Sequence, residues 1–86
     1  MKKKIYIVGC VSLNMRNEFE WFYDEVERND AYNLMQKNFE ESELSIYRTK
    51  IDIEIDLKLS FKAMNDFINI KVSQHLKKLG FRNIKS

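Results

Sequence analysis

The chain has 86 residues, 44% of them hydrophobic and 13% aromatic, with a single cysteine and no proline. That apolar share excludes a disordered chain, and the lone Cys10 excludes an internal disulfide or a cysteine-based zinc site; the length suits one domain, residues 1–86, whose folding hides only about 60–65% of the unfolded surface. A net charge of +2 conceals a partition: residues 1–17 carry four basic and no acidic groups, Glu18–Glu43 nine acidic and two basic, and Leu44–Ser86 nine basic and four acidic. An acidic block between two basic ones favours binding to charged partners over chemistry.

The N-terminus, Lys2-Lys3-Lys4 followed by Ile5 to Val11, imitates a secretion signal. Only Ile5 to Gly9 separate the lysines from Cys10, short of the roughly 7–15 apolar residues a signal core needs, so a buried strand is expected instead. Apolar residues continue at alternate positions from Ile5 to Met15, and the even face (Tyr6, Val8, Cys10) is also fairly apolar, which predicts a long strand in the middle of a sheet. Asn17, with Glu20 three residues later, has the form of a capping box and predicts that the first helix opens there. On a helical wheel Phe19, Phe22, Tyr23 and Val26 share one side, whereas Trp21, Tyr32, Met35 and Phe39 share nearly the opposite one. The side changes near Arg28-Asn29-Asp30, so either the helix breaks there or one long helix buries its first half at home and offers its second half elsewhere.

Leu44 and Ile46 open a second strand. Ile51, Ile53, Ile55, Leu57, Leu59 and Phe61 alternate with Asp52, Glu54, Asp56, Lys58 and Ser60, which predicts a strand over this stretch. A change of parity between Ile46 and Ile51 suggests a tight connection or bulge at Arg48-Thr49-Lys50. The last helix is predicted from about Phe61 to Leu79, with Met64, Phe67, Ile68, Val72, Leu76 and Leu79 in one stripe, closed by Gly80 with Phe81 folding back on Leu76. The expected fold is therefore α+β, a small β-α-(α)-β-β-α domain with an antiparallel-rich three-stranded sheet, helices packed on one face, and Asp52, Glu54 and Asp56 towards water.

No phosphate loop, metal cluster or nucleophile–base pair can be assembled, so neither an enzyme nor a cofactor is expected. Asp56-Leu57-Lys58 has the acidic-x-Lys form of metal-dependent nuclease ends, but no second acidic residue on a neighbouring element can be identified to share a metal. His75, the single histidine, has no nucleophile or orienting carboxylate placed beside it by the sequence, and it reads as a packed or partner-facing residue. Cys10, without a cationic neighbour on its strand, reads as inert packing.

Two binding surfaces remain. Carboxylates of the acidic block surround an aromatic stripe, so Trp21, Asp24, Glu25, Arg28, Tyr32, Met35 and Phe39 are expected to meet a protein with a basic surface. The reading that follows is an inhibitor or antitoxin-like antagonist of a nucleic-acid-handling enzyme. Lys, Ile, Asn, Phe and Tyr make up 38 of the 86 residues, a bias of AT-rich genomes such as those of many phages, which makes a phage-type antagonist the form expected. Alternatively, Lys2, Lys3, Lys4, Tyr6, Tyr47, Arg48, Lys77, Lys78 and Arg82 supply cations and rings for binding RNA. Ile5-Tyr6-Ile7-Val8-Gly9 resembles the first-strand motif of RNA-recognition domains, although Ile51 to Phe61 lacks the Lys/Arg-Gly-aromatic signature of their third strand. Self-association through Trp21, Tyr32, Met35 and Phe39 is a third reading. A cytoplasmic location is expected from the single cysteine, and no stretch approaches the roughly 20 apolar residues that span a bilayer.

Overall fold

The computed structural model describes residues 1–11, 17–38, 45–80 and 84–85. In chain order the elements are β1 (Lys2–Val11), β2 (Asn17–Phe22), α1 (Glu25–Asn38), β3 (Ser45–Glu54), α2 (Phe61–Lys78) and β4 (Ile84–Lys85). They form an α+β domain with one sheet in the order β3-β1-β2-β4. β1 is central, as its two apolar faces imply, and is antiparallel to both β2 and β3. The short β4 pairs parallel with β2.

Several local expectations change. Asn17 does not cap a helix: it starts β2, whose side chains alternate between buried Asn17 and Phe19 and exposed Glu18 and Glu20. A period of two outweighs the capping-box spacing here because the hairpin with β1 buries Phe19 opposite Gly9. The cap of α1 is Asp24, whose Oδ1 accepts from the Val26 N–H at 3.1 Å. From there α1 runs without a break through Arg28-Asn29-Asp30. β3 likewise passes straight through Arg48-Thr49-Lys50, so no hairpin divides it.

The alternation after Glu54 does not extend the strand. Asp56 turns the chain, its Oδ1 accepting from Lys58 N–H at 2.9 Å and its carbonyl from Leu59 N–H at 3.2 Å. Ser60 then caps α2 by accepting from Ala63 N–H at 3.2 Å. α2 ends as its sequence signals, with Lys77 and Lys78 in the last turn and Gly80 at φ 96°. Residues 12–16, Phe39 and the Phe81 contact lie outside the described residues.

The odd-numbered face of the sheet carries the core. Ile5, Ile7, Phe19 and Ile53 pack there with Ile55 and with Ile68, Val72 and Leu76 of α2, each fully buried aliphatic side chain being worth about 1.5–3 kcal/mol. α1 lies over the even face, where Arg28 covers Tyr6 and Arg48 of β3 covers Tyr32. The helices thus flank the sheet instead of sharing one face. Topology explains this: β2 and β3 are parallel to each other and β4 is parallel to β2. The step β2-α1-β3 crosses β1 in one direction and β3-α2-β4 returns in the other, so two right-handed crossovers must place their helices on opposite sides. Past the N-terminal start of α1 the even face is solvent-exposed at Asp52 and Glu54, as is Asp56 after the strand. No helix among the described residues is long and apolar enough to cross a membrane.

Candidate functional site

α1 is amphipathic in an unusual sense, because each side combines apolar and charged residues. Arg28, Ala31, Tyr32 and Met35, at helical spacing i, i+3, i+4 and i+7, turn towards the sheet and are buried or half-buried. Arg28 is only 6% exposed. Its Nη1 donates to the carbonyl oxygens of Thr49 at 2.8 Å and Ile7 at 3.4 Å, and its Nε donates to Asn29 Oδ1 at 2.8 Å. The guanidinium lies 5.3 Å from the centre of the Tyr6 ring, and that of Arg48 lies 4.7 Å from Tyr32. Asn29 Oδ1 also accepts from Arg48 Nη1 at 3.4 Å. Arg28 is thus held beneath the helix and Arg48 at its exposed margin, each against a tyrosine ring and both on Asn29 Oδ1, with no carboxylate paired to either among the described residues.

The opposite side of α1 faces water. Val26 is 64% exposed and Leu34 59%, and Tyr23 just before the helix is also exposed. Asp24, Glu25, Glu27 and Asp30 are exposed beside them. Glu25 and Glu27 in the first turn also complement the positive end of the helix dipole. The outer side of α1 therefore exposes Val26 and Leu34 on one face with Asp30 between them and Asp24, Glu25 and Glu27 nearby, while Tyr23 packs with Trp21 and Lys3.

This arrangement divides the residues expected to bind a protein. Asp24 and Glu25 lie on the exposed rim, while Arg28, Tyr32 and Met35 form the inward side. Trp21 belongs to β2 and faces α2, where its Nε1 donates to Asn69 Oδ1 at 2.6 Å and its ring meets Tyr23 edge-on at 5.3 Å. Val26 and Leu34 take the outward role that the wheel assigned to Tyr32 and Met35, and Tyr23 packs with Trp21. A helix begun at Asn17 takes Phe19 and Phe22 as its home face and so turns Tyr32 and Met35 outward. A wheel begun at Asp24 places Val26, Asp30 and Leu34 together.

The residues expected to bind RNA are also divided. Tyr6 and Arg48 lie on the α1 side, Tyr47 on the α2 side, and Lys77 and Lys78 at the end of α2. Lys2 and Lys4 are exposed but stand opposite Glu54 and Asp52 in the sheet. Lys3 lies over the Tyr23 ring at 5.2 Å. Arg82 is outside the described residues.

Tyr47 is instead a packing element. Its hydroxyl donates to Asn17 Oδ1 at 2.6 Å, and burial pushes the phenol up to about 12 despite that bond. The ring crosses Gly9, where an added Cβ would overlap it. Burial raises the Cys10 thiol above its ordinary range, and the carboxylate of Glu18 directly across the hairpin raises it further. Among the described residues no group of acidic, histidine and cysteine side chains is arranged to hold a metal ion. No protein-family model, curated protein or solved structure matches the chain.

Proposed function

We propose that this protein is a small binding module of the inhibitor or antitoxin-like kind, which places the outer side of α1 on the basic surface of a nucleic-acid-handling enzyme. The observation that carries the reading is the exposure of Val26 and Leu34 on either side of Asp30, with Asp24, Glu25 and Glu27 exposed nearby. Carboxylates steer such a helix to a cationic site and disfavour other partners, while Val26 and Leu34 supply apolar area that can be dried on contact. Arg28, held by two backbone carbonyls, keeps the helix fixed on the sheet, which lowers the ordering cost of binding.

Affinity capture from nuclease-treated bacterial lysate tests this reading, comparing the wild type with Val26→Asp/Leu34→Asp and Glu27→Lys/Asp30→Lys. The wild type should retain a basic enzyme and inhibit it, and both variants should lose it while keeping native circular dichroism. Retention that is indifferent to both substitutions, or that disappears with nuclease, rejects the proposal; the second outcome would favour RNA.

A further inference from the structure

β3 is an edge strand of ten residues, and no described residue pairs with its outer side. Which backbone groups face outward follows from the ladder with β1. Ile55 N–H donates to the Met1 carbonyl at 2.9 Å, so the odd residues of β3 are bonded to β1. The N–H and C=O groups of Arg48, Lys50, Asp52 and Glu54 consequently point away from the sheet. All four side chains stand on its exposed even face. A long unpaired edge is a template for another strand, and proteins commonly guard it with charge.

Here the charges are complementary to themselves. We infer that two copies of the chain join antiparallel through β3 about a two-fold axis at Ile51, merging their sheets into one. That register sets Lys50 opposite the partner's Asp52 and Arg48 opposite the partner's Glu54, and symmetry repeats each pair. All four pairings bring together residues whose backbone groups face outward, as an antiparallel ladder requires. Shifting the axis to Lys50 would oppose two lysines, and shifting it to Asp52 would oppose two aspartates. An axis at Thr49 would oppose Arg48 and Lys50, and one at Ile53 would oppose Asp52 and Glu54. The Ile51 axis is the one of these five with opposite charges in every charged pair of the strand and none alike.

On the other face the same register places Ile51 against Ile51 and Thr49 against Ile53. Ile51 is half-buried in one copy, beside a groove formed with Ile53, Lys71, Gln74, His75 and Lys78. Lys71 and Lys78 are exposed, with stems long enough to carry their charge into water. Glu54 already binds the Met1 ammonium at 2.7 Å, so the central Lys50–Asp52 pairs are the stronger determinants of register. This surface is distinct from the outer side of α1, and the inference stands or falls separately from the proposed function.

The test is sedimentation velocity across concentrations up to millimolar, with hydrogen exchange on the same samples. The wild type should dimerise, and exchange at the amides of Arg48, Lys50 and Asp52 should slow as concentration rises. Lys50→Asp converts two attractive pairs into two repulsive ones and should weaken the dimer about tenfold or more. Lys4→Glu/Lys50→Asp/Asp52→Lys restores opposite charges across the axis while keeping position 52 opposite an opposite charge on β1, and should recover dimerisation. Lys50→Pro removes an outward N–H without breaking the ladder to β1, and should leave a folded monomer. A wild type that stays monomeric, a dimer indifferent to Lys50→Asp and Lys50→Pro, or a charge exchange that fails to restore it would each overturn the inference.

Discussion

Replacing Arg28 by alanine separates the role of its guanidinium from that of ordinary helix packing. A hydrogen bond from a charged donor contributes about 1.5–3 kcal/mol, and here the Thr49 carbonyl accepts one at 2.8 Å. The contact with Ile7 at 3.4 Å is weaker, and the Tyr6 ring at 5.3 Å adds about 1 kcal/mol. Against these stands the cost of desolvating the guanidinium, several kcal/mol for a buried ion. Ile7 and Thr49 are a bonded pair of the β1–β3 ladder, so each carbonyl retains a partner when Arg28 is removed. The expected net loss is therefore about 2 kcal/mol, below the roughly 3–5 kcal/mol of a broken buried ion pair. Urea unfolding followed by circular dichroism should show the midpoint falling by about 2 M at a slope near 1 kcal/mol per M. Arg28→Met, which keeps the apolar stem, should lose about half as much. A change under about 0.5 kcal/mol in Arg28→Ala, the level of an ordinary surface substitution, would refute the fastening role.

Two further predictions concern Tyr47. Gly9→Ala should destabilise by about 1–3 kcal/mol because its Cβ would meet the Tyr47 ring and the Glu18 carbonyl. In a double-mutant cycle Tyr47→Leu should recover part of that loss, and strict additivity would argue against the contact. The phenol of Tyr47 ionises near 12 in the folded protein, against about 10 in the unfolded chain. Its contribution is complete below about 10 and declines as pH rises towards about 12, since the unfolded state gives up the proton first. Tyr47→Phe should therefore lose stability less steeply across that range in alkaline unfolding, and parallel curves would contradict the assignment.

The α+β class, central β1 and the core stripe of α2 were legible because each has a repeating local pattern. Ile68, Val72 and Leu76 recur every four residues and are all fully buried. Ser60 and Gly80 likewise have local geometry that matches their residue types. The stretch from Asn17 to Phe22 was harder, since Asn17 and Glu20 satisfy a helix signal while Phe19 and Trp21 satisfy a strand signal. Pairing with β1 decides between them, and that pairing depends on β1 and not on the six residues of β2 taken by themselves. The two-residue β4 has too little sequence to carry a pattern of its own.

Sequence alone determined the acidic block, the alternating charges of β3 and the apolar face of α2, because composition and periodicity are properties of the chain itself. Tertiary structure decided which side of α1 meets water, which carbonyls hold Arg28 and which strand is left at the edge. Those outcomes depend on crossover direction and sheet order, which join segments far apart in the chain and have no signature in either segment taken separately.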